Sequence, residues 1–267
     1  MLILLPPSET KRDGGAGDPL AIDTLGFPGL GRVRRDVLRA VAKLSRNREA
    51  SIAALKLGPK QAAEVDRNRA IPTSPTMPAL ERYTGVLYDA LDAPGLTAEQ
   101  RAFAHETVAV HSALLGLVAA GDSIPAYRLS FDSRLSVEKG VATLKKRWAP
   151  AVAETLEQRE GLILDLRSEG YAALGPAPLR DHVHYVRVLA RDESGTVRAL
   201  NHFNKQAKGL FTRALVEAGT DFSGTGELLA WAREEGYDLS CALDGRELNL
   251  IVPEVVGSAG NLRAVLR

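Results

Sequence analysis

The chain has 267 residues, 45% of them hydrophobic and 25% charged, with a net charge of +1 and a single cysteine. That composition is ordinary for a soluble globular protein, and the net charge by itself gives no argument for a nucleic-acid partner. No apolar stretch approaches the ~20 residues needed to cross a bilayer. The run Met1–Leu5 lacks a basic segment ahead of it and is stopped by Pro6-Pro7, too early for a signal peptide. Cys241 cannot form an intramolecular disulfide, which fits a reducing compartment. The expectation is a cytoplasmic protein with no membrane partner.

In chain order, Met1–Leu5 predicts a buried strand, followed by a polar, Gly-rich loop from Pro6 to about Gly31. Gly14, Gly15 and Gly17 match neither the P-loop nor the Rossmann spacing and predict a flexible loop. Val33, Val37, Val41 and Leu44 form one helical stripe, with the arginines expected on the other face. Short helices follow over Glu49–Leu57 and Lys60 to about Arg67, joined at Gly58-Pro59. Pro72, Pro75 and Pro78 mark a linker or surface loop. Thr97 with Gln100 is a capping box that predicts a long helix to about Ala120. Further helices are expected over Ser136–Arg147 and Pro150–Gln158, the latter with proline in its first turn. Leu162–Leu166 predicts a strand; His182–Ala190 and Val197–Phe203 predict a pair about Asp192-Glu193-Ser194-Gly195. Helices over Lys205–Ala218 and Glu227–Glu235 lead to a hairpin at Asp244-Gly245, between Leu239–Leu243 and Leu248–Val252. The sum is a mixed α/β protein without regular βαβ alternation.

Charge is unevenly distributed. Residues 1–72 hold 13 Lys and Arg against 8 Asp and Glu, and the excess peaks between Arg32 and Arg48. Arg32, Arg34, Arg35, Arg39, Lys43, Arg46 and Arg48 there face one acid, Asp36. Such a stripe steers polyanions; a solvated helix face has the same composition.

Several segments together resemble the YaaA peroxide-stress protein family. They are Met1-Leu2-Ile3-Leu4-Leu5-Pro6-Pro7-Ser8-Glu9-Thr10-Lys11, Tyr83-Thr84-Gly85, Ser112 to Gly116, Asp122, Pro125, Tyr127-Arg128-Leu129, Trp148, Asp165-Leu166-x-Ser168-x-x-Tyr171 and Lys205-x-Ala207-Lys208-Gly209-Leu210. Their order and spacing, spanning Met1 to Tyr237, carry the likeness. The chain departs at Leu115, where the family has tyrosine, and at Glu9, where many members have a small residue. The resemblance implies a single compact domain over residues 1–267 with the family's "cantaloupe" fold, and a helical hairpin subregion at about 32–70. It also implies a DNA-binding protein, on duplex or branched DNA, that acts in the hydrogen peroxide response and limits iron-driven damage.

Within that frame, Ile52-x-x-Leu55-x-Leu57-Gly58-Pro59-Lys60-x-Ala62-Ala63-x-Val65 resembles a helix-hairpin-helix, whose turn presents backbone N–H groups to phosphate. Lys56, Lys60 and Arg67 add charge. An ordinary αα-hairpin gives the same pattern. A second candidate cluster is Ser8, Lys11, Tyr83, Arg128, Lys205 and Lys208, all in family-like segments. In one cleft these would bind a phosphate, a nucleotide or a nucleic-acid backbone. The enzyme alternative makes Lys11, Tyr83 or Lys205 an acid or base, partnered by Asp165 or Glu9, acting on a nucleotide, nucleobase or nucleic acid. A third reading, a protein-interaction factor in iron or repair pathways, calls for an exposed apolar patch. His182, His184 and His202 predict no metal site, Cys241 predicts a packed, inert thiol, and no cofactor is expected.

Overall fold

The computed structural model describes residues 1–136, 143–192, 194–199 and 204–253. The fully apolar strand β1 (Leu2–Leu5) has no polar face to show to water, and it lies mid-sheet with parallel neighbours on both sides. One neighbour is β3 (Val108–Ser112), the other β6 (Ile163–Asp165), with Ile3 opposite Val108 and Leu164. Beyond β6 come β7 (Val183–Arg191) and β10 (Glu247–Pro253), also parallel. Antiparallel strands finish the sheet: β4 (Gly116–Ala119) on β3, β9 (Asp238–Cys241) on β10, and β8 (Val197–Ala199) on β7. Two-residue strands β2 (Met77–Pro78) and β5 (Ser123–Ile124) pair separately.

From β1 the chain passes through α1 (Gly31–Ser45), α2 (Arg48–Leu55), α3 (Glu64–Ala70), α4 (Ala79–Arg82), α5 (Val86–Leu91) and α6 (Ala98–Thr107) to β3. It then crosses by way of α7 (Leu144–Glu157) to β6, on the opposite side of β1. α8 (Glu169–Leu174) links β6 to β7, and α9 (Asn204–Ala218) with α10 (Thr225–Glu234) leads on to the last hairpin. The strand order therefore reverses direction about β1, which opens a crevice beyond the carboxyl ends of β1 and β6. One hydrophobic cluster runs from Met1 to Val252. Among the described residues no helix is long and apolar enough to cross a membrane.

The mixed α/β architecture agrees with the sequence, but several elements differ. Thr97 and Gln100 do form the capping box, yet the helix stops at Thr107 and the expected remainder to Ala120 is the β3–β4 hairpin. Gly116 adopts φ +68°, and a Cβ there would meet the Trp148 ring at 2.6 Å, so the turn into β4 requires glycine. Pro150 lies inside α7, which starts earlier with Thr143 accepting from the Lys146 N–H. Of the Ser136–Arg147 helix expected there, residues 137–142 lie outside the described set. So do residues 200–203 of the expected Val197–Phe203 strand, with His202.

Thr76, beside the prolines, is buried and exchanges backbone hydrogen bonds with Gly17, so neither segment is a free loop. Arg34 is not on the solvent face of α1. It is fully buried and donates to the carbonyls of Leu115, Leu117 and Gly26 at 2.8, 2.6 and 2.7 Å, satisfying acceptors that the β3–β4 hairpin leaves over. Cys241 is exposed rather than packed, on β9 at the edge of the sheet. His184 is buried rather than half-exposed and meets Thr225 Oγ1 at 2.6 Å.

Candidate functional site

A cleft of about 770 Å³ occupies the crevice beyond β1 and β6. Its walls come from five segments far apart in sequence: Pro6–Thr10 after β1, Thr84–Tyr88 entering α5, Ser130 with Phe131, Leu166–Tyr171 after β6, and the first turns of α9. Tyr185 to Val188 of β7, which outruns β6, form the back. Each segment is pinned. Tyr88 Oη donates to the Pro6 carbonyl at 2.7 Å, and Thr84 Oγ1 donates to Thr10 Oγ1 at 3.0 Å. Ser8, Thr10 and Thr84 thus form a hydroxyl rim.

The cleft also carries charge of both signs, with Lys205, Lys208 and Arg187 in its lining beside Glu9 and Glu169. Lys205 and Lys208 are one turn apart on α9 and both line the cleft. Lys205 is exposed, whereas Lys208 is buried with its Nζ 5.2 Å from the Tyr185 ring centre and 3.3 Å from the Arg167 carbonyl oxygen. Burial lowers the Lys208 pKa to about 8, partly offset by Asp165. α9 is able to sit here because Gly209 lies against α5; a Cβ at Gly209 would stand 2.2 Å from the Leu87 carbonyl oxygen.

Behind the hydroxyl rim lies a second, buried group. Lys11 pairs with Tyr83 in an isolated antiparallel bridge, and its Nζ donates to the carbonyls of Ser8 and Glu9 at 2.9 and 3.3 Å. The same Nζ lies 4.1 Å from the Tyr127 ring centre and 5.3 Å from that of Tyr83. Desolvation, reinforced by Arg128, brings Lys11 down to about 7. Tyr83, Tyr127 and Ser112 link hydroxyl to hydroxyl at 2.8 and 2.7 Å, and burial raises both tyrosine pKa values well above normal. Arg128 is fixed by Asn68, which accepts from its N–H and donates to its carbonyl, and its guanidinium pairs with Glu9.

The expected cluster therefore splits into two layers. Ser8, Lys205 and Lys208 line the cleft; Lys11, Tyr83 and Arg128 stand behind it. Asp165 is not a free partner for any of them. Both its oxygens are taken by Arg167, at 2.8 and 2.6 Å, and it lines a different cavity, with His184 and Thr225. Arg167 also donates to His111 Nδ1 at 2.8 Å, and burial with this cation keeps His111 well below its usual pKa. Sequence reasoning passed over Arg167, His111 and Tyr127 as site residues, although an Arg two residues beyond an Asp that ends an apolar strand signals a buried pair. Among the described residues no group of three or more His, Cys, Asp or Glu is placed to hold a metal ion.

The helical hairpin is a separate place. α2 and α3 are joined through a 3₁₀ turn, Pro59–Gln61, and Lys56, Gly58 and Lys60 do not line the cleft. The Gly58 N–H is already used by Gln61 Oε1 at 3.0 Å, and Lys56 pairs with Asp132. Arg67 pairs with Glu64 and Asp13. In the α1 stripe Arg35, Arg39 and Arg48 pair with Asp23, Asp36 and Asp66; among the described residues Arg32, Lys43 and Arg46 stay exposed without an ion pair.

Fold and cleft together define an α/β protein with a predominantly parallel sheet and a crevice at its switch point lined by charged and hydroxyl side chains. Residues 1–243 match the family described as peroxide stress protein YaaA, and the chain belongs to that family. It is 41% identical over 254 residues to a UPF0246 protein of Corynebacterium efficiens, covering 94% of this chain and 100% of the relative. A UPF0246 protein of Corynebacterium glutamicum is 40% identical over 237 residues, covering 88% and 93%. One of Streptomyces coelicolor is 38% identical over 267 residues, covering 96% and 100%.

Proposed function

We propose that this member of the peroxide stress family acts in the cytoplasm by holding the sugar–phosphate backbone of DNA, without sequence preference, and thereby protects it against iron-driven oxidation. The observation that carries the reading is the cleft itself. Lys205 and Lys208 face the Ser8, Thr10 and Thr84 hydroxyls across one crevice, an arrangement of point charges and hydroxyl groups suited to phosphate oxygens and blind to base identity. Apart from the cleft, exposed Lys60, Arg32, Lys43 and Arg46 offer further positive charge to a long polyanion.

The test is binding of labelled duplex, branched and single-stranded DNA across a salt series, with Lys205→Glu and Lys60→Glu alongside. Log affinity should fall with log salt by about 0.7 to 0.9 per phosphate neutralised, and Lys205→Glu should reduce that slope by about 1 or more. Lys60→Glu reports whether the hairpin takes part. An absence of binding at low salt sinks the reading.

A second reading, an enzyme acting on a nucleotide, nucleobase or nucleic acid, is favoured by Lys11. A buried amine that titrates near neutrality, packed on the Tyr83–Tyr127–Ser112 hydroxyl chain, suits proton transfer. Turnover of screened nucleotides should disappear in Lys11→Met; turnover at an unchanged rate removes Lys11 from that role.

A further inference from the structure

The deepest cation of the cleft has a chemistry that phosphate binding leaves unused. Lys208 is only 4% exposed, yet it lines the cleft. Among the described residues its Nζ has one hydrogen-bond acceptor, the Arg167 carbonyl oxygen at 3.3 Å. Asp165, the carboxylate with the largest influence on it, has both oxygens committed to Arg167. Among the described residues no carboxylate lies within ion-pair distance of Nζ. Desolvation without an ion pair makes a lysine a usable nucleophile, and at its pKa of about 8 a fraction is neutral amine near neutral pH. Lys205, one turn away, is exposed to solvent and lines the same space. Asn204, at the start of the same helix, lines the cleft with a buried Oδ1 that has no hydrogen-bond partner among the described residues. A shielded amine, a solvated cation and an unused acceptor thus converge, matching an aldehyde, a phosphate and a hydroxyl on one small molecule.

We propose that Lys208 forms an imine with a sugar-phosphate aldehyde, the group exposed when the deoxyribose of an abasic nucleotide opens, with Lys205 on its phosphate and Asn204 on its hydroxyl. The proposal rests on the reading of the cleft as a site for sugar–phosphate groups. The Nζ lone pair adds to the aldehyde carbon, and the carbonyl π pair moves to oxygen, which takes up a proton. Nitrogen then loses a proton, the protonated hydroxyl leaves as water, and the C=N bond forms. No oxidant or reductant is involved. The same aldehyde chemistry is carried by a strand with an abasic site and by free 2-deoxyribose 5-phosphate, so both are probed.

The full chain is incubated with an abasic-site oligonucleotide, with the intact oligonucleotide, and with 2-deoxyribose 5-phosphate, each in the presence of sodium borohydride. Borohydride delivers hydride to the imine carbon and fixes the adduct as a secondary amine. The expected result is a covalent adduct mapped by peptide mass spectrometry to Lys208, absent with the intact strand. It should fall at least tenfold in Lys208→Arg, which keeps the charge but cannot form the imine. An adduct with the strand or with the free sugar phosphate supports the proposal, and the stronger arm identifies the source. No adduct in either arm, or an adduct at Lys205 or Lys11 instead, overturns it. Should Lys208→Arg fail to fold, the wild-type peptide map decides alone. Binding of the intact strand without any adduct defeats this proposal and leaves the backbone-binding reading standing. An adduct with the free sugar phosphate alone, with no strand bound, does the reverse.

Discussion

At the scale of single residues, Lys11 has exchanged water for two tyrosine rings and two backbone carbonyls, with no carboxylate hydrogen-bonded to its Nζ among the described residues. Its protonated form is therefore destabilised in the fold. The unfolded chain keeps this proton up to the ordinary value of 10.5, whereas the folded chain releases it near 7. Between those values unfolding takes up a proton, so stability rises with pH. Lys11's share of the gain from pH 7 to 9 should be on the order of 2 kcal/mol, and Lys11→Met should remove that share in urea unfolding measured at both pH values, leaving the smaller rise that buried Lys208 contributes. A flat wild-type profile contradicts the burial argument. Arg167 illustrates the converse case, a buried cation that is fully used. Arg167→Met leaves the Asp165 carboxylate without its counter-charge and His111 Nδ1 without its donor. The expected cost is about 3–5 kcal/mol, and adding Asp165→Asn should recover part of it.

At the scale of elements, the cleft depends on how closely α9 approaches α5. The Leu87 carbonyl is backbone and has little room to move, so Gly209→Ala must push α9 outward and carry Lys205 and Lys208 with it. Destabilisation of about 1–3 kcal/mol is expected from such overpacking, together with weaker DNA binding; unchanged stability and affinity would show the contact to be looser than described. Elements with a distinctive local pattern were readable in advance. The α1 stripe, the Thr97 cap and the Asp244-Gly245 hairpin are examples, because each is decided by neighbours in sequence. The continuation of α6 was misread for a physical reason. Residues 108–119 are buried on every side, so their apolar run has no period that separates a helix from two strands.

At the scale of the whole molecule, the sequence suggests one cleft for Ser8, Lys11, Tyr83, Arg128, Lys205 and Lys208, whereas the fold divides them between a cleft wall and a buried layer behind it. Ser8 and Lys208 share the cleft because α9 packs on α5, whose entry segment lines the same crevice as the turn after β1, and contacts between such distant segments are written nowhere in the local pattern. The arginines of α1 show the same limit. Sequence spacing placed them all outside, while the leftover carbonyls of a distant hairpin drew Arg34 in. The central position of β1 also governs how the molecule is made. Its partners begin at residues 108 and 163, so during synthesis the Leu-Ile-Leu-Leu segment precedes them and waits unpaired until these distant strands follow. A topology closed by such distant contacts folds on the millisecond-to-second scale or slower. The segment destined for the centre is, until then, sticky and unprotected, which makes it a natural target for chaperones while the cell is under stress.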